Sequence, residues 1–207
     1  MRCLPCSIAL FFLMSCASDY RHLLATGPDE NCANKILPSY ITTSWYNASV
    51  DVMGNHMSGL LLIKNMPDSS IRVVFTNEVG VTFFDFGFSN EGEFKVHHVV
   101  SQLNKKAVIQ TLRKDFALIL CLPFRNTEHE RLTTDEEIYY RVRQKNEMAY
   151  FITNKDCASL QRMEWGTTRK KMVSVKTPGS GYPSPETIEL THVNFNMQIK
   201  LTRIQRE

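Results

Sequence analysis

The sequence predicts a mainly β (α+β) fold: a single strongly curved antiparallel meander sheet, a half-barrel of about nine strands, with one main helix at about 105–120 across its concave face. Three observations carry this. Apolar and polar residues alternate in short runs along most of the chain. One stretch alone changes to a three-and-four spacing. Turn-forming residues separate the runs closely enough that consecutive strands must pair antiparallel. With 207 residues and no internal repeat, one domain is expected.

Residues 16–40 carry Gly27-Pro28-Asp29 and Pro38 with few periodic apolar positions, which reads as a tether with a short helix at about 31–37. The domain proper begins near Ile41. Tyr46, Ala48, Val50 and Val52 alternate with Asn47, Ser49 and Asp51, and Gly54-Asn55 turns the chain into a second strand at 57–64. The loop Asn65-Met66-Pro67-Asp68-Ser69-Ser70 precedes strands at 71–76 and 81–86, divided by Glu78-Val79-Gly80, and the meander continues through 94–100.

The spacing then becomes helical. Asn104 is placed as the N-cap, and Val108, Ile109, Leu112, Phe116, Ile119 and Leu120 recur on one face before Pro123 ends the helix. A polar loop is expected at 125–136. Strands resume at 138–144, 148–154, 159–165 and 170–176, a long loop follows at 177–187, and Val193, Phe195, Met197, Ile199 and Leu201 alternate in the last strand.

The first fifteen residues have a secretory layout: Arg2, then the apolar stretch Ile8 to Met14, then Ser15 and a change to polar residues at Ser18-Asp19. Residues 1–15 are thus expected to be a signal peptide, 16–40 a tether and 41–207 the domain. Beyond residue 16 no apolar run approaches the ~20 residues that cross a bilayer. A formal net charge of +3 provides no field for nucleic acid. Of the cysteines past the leader, Cys32, Cys121 and Cys157 are widely spaced. At most one pair can bridge, none sits at zinc-site spacing, and buried or free thiols are the expectation.

No chemistry stands out. His97-His98 would point to opposite faces of a strand, Glu128-His129-Glu130 lies in a charged loop, and neither matches a metal-binding pattern. No Gly-x-Ser-x-Gly or nucleophile–base pair occurs, so an enzyme is not expected, and neither a cofactor nor a metal is implied. Asp85 is assigned to an edge or to a salt bridge with Arg72. Leu60 to Ile63 and Phe83 to Phe86 carry large apolar groups on both strand faces. One reading is a filled core with cover on the far side; the other is a lined cavity holding an apolar ligand. On the second reading, Leu61, Ile63, Phe75, Phe83, Leu112, Phe116 and Ile119 would line it.

Leu13-Met14-Ser15-Cys16 resembles the lipobox of bacterial lipoproteins, which implies a lipid on Cys16 and an outer-membrane anchor facing the periplasm. The alternative is an ordinary signal peptide cut after Ser15 or Ala17. Together with the curved meander and mid-sheet helix over residues 41–204, the chain resembles the LolA/LolB class of periplasmic carriers and outer-membrane receptors. That resemblance implies an acyl chain or lipoprotein cargo in the half-barrel. It also implies an exposed apolar residue on an early inter-strand loop, for which Met66 is the expected residue. The alternative function is an accessory outer-membrane lipoprotein that holds a protein partner through the loop 177–187 and Tyr182.

Overall fold

The structure, a computed structural model, describes residues 18–36, 43–52, 54–125, 127–178 and 185–205; the leader, Cys16 and Tyr182 lie outside them. Among the described residues the chain order is β1 (Leu24–Ala25), α1 (Glu30–Ile36), β2 (Ser44–Val52), β3 (Asn55–Asn65), β4 (Ile71–Thr76), β5 (Thr82–Phe88) and β6 (Phe94–Val99). Helix α2 (Lys106–Ile119) and a 3-10 turn at Leu122–Phe124 follow. The chain then forms β7 (Glu130–Thr133), β8 (Glu137–Gln144), β9 (Glu147–Asn154), β10 (Leu160–Gly166), β11 (Lys171–Lys176), β12 (Thr187–His192) and β13 (Met197–Arg203).

All of these strands belong to one antiparallel sheet of 13 strands, in the order β1-β7-β8-β9-β10-β11-β12-β13-β2-β3-β4-β5-β6. The topology explains the helix. From β2, in mid-sheet, the chain meanders outward to the edge strand β6, and must then reach the opposite flank, where β1 lies, to begin β7. Helix α2 is that connection, so it crosses the concave face. Its side chains touch both arms: the Phe116 ring lies 5.5 Å from Phe84 on β5, while Lys114 binds Glu147 on β9 at 2.6 Å. A flat sheet of this width could not bring those arms to one helix, so the sheet is curled and unclosed.

Alternation fixes the core. Leu61 and Ile63, Val73 and Phe75, and Phe84, Phe86 and Phe88 point inward from β3, β4 and β5 and are buried to 3% exposure or less. Leu112, Phe116 and Ile119 descend on them from α2, and Cys32, Ala33 and Ile36 of α1 join the same cluster. Gly59 is required in β3 because a Cβ there would lie 2.0 Å from the carbonyl oxygen of Thr76.

Four expectations are corrected. Among the described residues the sheet has thirteen strands, not about nine: β1 has two exposed residues, β7 buries only Leu132, and β12, short but alternating with Ile188 and Leu190 buried, directly follows the expected loop 177–187 and is not among the expected strands. Strand β12 occupies 187–192, and the last strand begins at Met197, because 193–196 make the turn between them. The helix N-cap is Lys105, extended at φ −120° and with no side-chain cap. Asn104 instead turns back, its N–H donating to the Val100 carbonyl at 3.0 Å.

The fourth correction concerns residues 18–36, which are packed onto the sheet instead of trailing as a tether. The outer face of β8 and β9 presents Tyr139, Met148, Tyr150 and Ile152, opposite in parity to the inward Tyr140, Ala149 and Phe151. Tyr20 covers that face, stacking on Tyr150 at 4.0 Å and donating its hydroxyl to the buried Glu164 at 2.8 Å. A Cys32–Cys157 disulfide, Cα to Cα 5.4 Å, then ties α1 to the β9–β10 turn. Cys121 lies outside this bridge, a buried thiol with its Sγ 3.8 Å from Met163 Sδ. The sequence expectation allowed one such bridge without choosing it, and a separation of 125 residues leaves no spacing signal.

Candidate functional site

The site is the space between α2 and the sheet. The helix starts at Lys105, whose carbonyl accepts from Ile109 N–H at 3.0 Å, and stops where Cys121 takes a left-handed φ of 53° ahead of Pro123. Between these limits Leu112, Phe116 and Ile119 form the buried stripe.

The seven residues expected to line a cavity are brought together, as one packed cluster. Leu61, Ile63, Phe75, Leu112, Phe116 and Ile119 are buried in it, and Phe83 packs at its margin. Phe83 was expected on the face opposite Phe84. It is the extra residue of a β-bulge, since Phe75 pairs with Phe84 and Thr76 with Thr82, and the bend carries its ring to 5.0 Å from Phe75. In this state the α2 side chains fill the concavity.

Open space lies on the two flanks of the helix instead, and none of the seven residues lines it. On one flank is a cavity of about 120 Å³ bounded by Leu118, Trp165, Met172 and Phe195 with Asp115 and His192. On the other is a groove of about 820 Å³ among the ends of the β3–β4, β5–β6 and β8–β9 hairpins, α2 and the 3-10 turn. Its floor is apolar, with Ile71, Phe88, Ala117, Leu122 and Pro123. Lys114, Glu147 and Trp165 line both spaces and form the partition: Glu147 accepts from Lys114 Nζ at 2.6 Å and from Trp165 Nε1 at 2.7 Å.

Two polar groups in these walls are buried without full pairing among the described residues. Asp115, on the apolar side of α2, has Oδ2 3.0 Å from His192 Nε2, while Oδ1 has no partner. Burial raises its carboxyl pKa, against the hydrogen bond and charge of His192 and the charge of Lys114. Arg125 has Nε and Nη2 buried without acceptors, and burial lowers its pKa. Asp115 could have been noticed in the sequence, as a carboxylate three residues after Leu112 and directly before Phe116, on the helix's apolar stripe. Arg125, Glu147, Trp165 and His192 gave no such signal.

The remaining expected groups take structural roles. Arg72 Nε donates to Asp85 Oδ1 at 2.7 Å in a half-buried ion pair. His129, expected to be solvated, stacks on Phe124 at 4.6 Å. His98 Nε2 lies 3.2 Å from the Thr82 carbonyl. Met66 is half-buried, whereas Val79, in the β4–β5 turn at the opposite end of β4, is 84% exposed. Among the described residues no helix is long and apolar enough to cross a membrane, and no group of three metal-ligating side chains converges.

No protein-family model matches the sequence, and no curated protein does. Solved structures do match the fold. A LolA superfamily protein of Nitrosomonas europaea superposes with a TM-score of 0.57 at 12% identity, covering 88% of this chain and 95% of that one. A DUF1329 family protein of Desulfovibrio piger gives a TM-score of 0.45 at 7% identity, with 85% and 88% covered. An outer membrane lipoprotein-sorting domain of Vibrio parahaemolyticus gives 0.44 at 6%, with the same coverage. The fold is therefore LolA-like, an unclosed curled sheet plugged by a crossover helix.

Proposed function

We propose that this chain is a membrane-anchored lipoprotein that binds an acyl chain, free or on lipoprotein cargo, between α2 and the concave sheet. The observation that carries the reading is the plug itself. One helix supplies Leu112, Phe116 and Ile119 to a phenylalanine-rich concavity while open space flanks it on both sides. An apolar chain entering from the groove floor would take the place of those side chains at little net loss of burial. Helix α2 is the movable part because each arm of the sheet is held by its own strand ladders, whereas α2 is held across the concavity by side chains. The anchor is the lipid expected on Cys16, with the domain facing the periplasm at the outer membrane. The Cys32–Cys157 disulfide supports an oxidising compartment. Val79 takes the part for which Met66 was expected, the exposed apolar residue that meets a membrane or hands on cargo.

The test is native mass spectrometry of the protein purified from its own host, followed by organic extraction of what co-purifies. A stoichiometric acyl-containing adduct, lost when Phe116→Trp overfills the space, supports the reading. A bare mass refutes it and moves the assignment to an accessory lipoprotein working through protein contacts.

A further inference from the structure

We propose that the acyl ligand carries an oxyanion next to its chain, and that Arg125 in the wall of the large groove receives it. This rests on the acyl-binding reading above and narrows it. Arg125 follows the 3-10 turn, at the groove's apolar floor beside Leu122 and Pro123. Two of its guanidinium nitrogens, Nε and Nη2, are buried without an acceptor among the described residues. An arginine stays protonated in a protein, so this is a half-buried cation with two inner donors that lack an acceptor among the described residues. Leaving such a group unpaired is costly, and a fork of adjacent N–H donors matches the two oxygens of a phosphate or carboxylate.

The surrounding charge agrees. Arg113 and Lys145 line the same groove, the first over the Phe94 ring at 5.4 Å and the second exposed at the β8–β9 turn. The two carboxylates in the lining do not neutralise them: Glu147 is engaged by Lys114 and Trp165, and Glu91 lies exposed in the β5–β6 turn. Cations thus collect at the wall while the floor is apolar and continuous with the core through Ile71 and Phe88. An anionic amphiphile fits that order of surfaces, headgroup at Arg125 and chain toward α2.

The full chain is titrated with lysophosphatidylglycerol, with lysophosphatidylcholine of the same acyl length, and with inorganic phosphate, following Trp165 fluorescence. The expected result is tighter binding of the anionic lipid, with Arg125→Gln weakening it by about tenfold or more while leaving the zwitterionic lipid within about twofold. Equal binding of both lipids, unchanged in Arg125→Gln, overturns the anion site and leaves acyl binding standing. Phosphate binding that is lost in Arg125→Gln, with neither lipid bound, keeps the anion site and removes the acyl reading. No response to any of the three overturns both. If Arg125→Gln loses its cooperative melt, Lys145→Glu at the exposed rim serves instead, with selective weakening of the anionic lipid expected and equal effects on both lipids overturning the proposal.

Discussion

Removing the Cys32–Cys157 bridge, by reduction or as the Cys32→Ala, Cys157→Ala double variant, should destabilise the domain more than any single core substitution. The bridge closes a loop across 125 residues, enclosing β2 to β9 and α2. The chain-entropy relation for a loop of that length gives about 5 kcal/mol at 25 °C, the upper part of the range observed for native disulfides. For a domain of this size each kcal/mol moves the melting temperature by about 2–4 °C, so a fall of about 10–20 °C is expected. The assay is thermal and urea unfolding by circular dichroism on three samples: oxidised wild type, reduced wild type and the double variant. The reduced wild type and the double variant should agree, since both release the same loop. Melts that coincide with oxidised wild type to within about 1 kcal/mol would refute the reasoning, because the constraint on the unfolded chain would then be absent.

Gly59→Ala should cost about 3 kcal/mol or more, or prevent folding, because its Cβ meets backbone at Thr76 and nothing flexible can yield; a melt within 1 °C of wild type would contradict this. Glu137 supplies a pH dependence. Burial pushes its carboxyl up, but the paired bonds from Arg162, both 3.0 Å, and the Tyr139 hydroxyl outweigh that and hold it below the usual carboxylate range. A folded-state value below the unfolded value of about 4.3 means stability present above that pH and lost as pH falls through the folded value. Melting curves of Glu137→Gln and wild type should therefore differ at pH 6 and converge toward pH 3; a constant gap would be evidence against the ion pair as its cause.

Much of this was legible because strand alternation and helical spacing are both local signals. Helix α2 lies within one residue of its expected bounds at 105–120, since six apolar positions recur on one face. The inward set Leu61, Ile63 and Phe75 followed from parity alone. What escaped was non-local or one residue out of step. Tyr20 has no periodic neighbours and gains its place from Tyr150 and Glu164, more than a hundred residues away. Phe83 obeyed alternation on paper, but a single bulge residue reverses side, and no feature of Val81-Thr82-Phe83-Phe84 announces it. Strand β7 is mostly polar and exists because β8 offers it an edge. Arg125 lies just past the 3-10 turn, where neither alternation nor helical spacing marks a guanidinium with buried nitrogens.

The plug also sets how long a ligand must be. Leu112, Phe116 and Ile119 are 6%, 1% and 2% exposed, so lifting α2 returns three large side chains to water at about 2 kcal/mol each, or about 6 kcal/mol together. A buried methylene recovers about 0.8 kcal/mol, so about eight methylenes are needed before an incoming chain breaks even with the helix it displaces. Separation of Asp115 from His192 adds to the threshold. Lysophosphatidylglycerols of increasing chain length, titrated under one condition, should show no chain-dependent binding up to about eight carbons. Beyond that, affinity should rise by about tenfold or more for every two methylenes added. The same steep rise beginning at the shortest chains would mean a preformed cavity, with α2 staying in place. A response independent of chain length would mean that binding is confined to the groove and its cations, and that the concavity under α2 is a core and never a container.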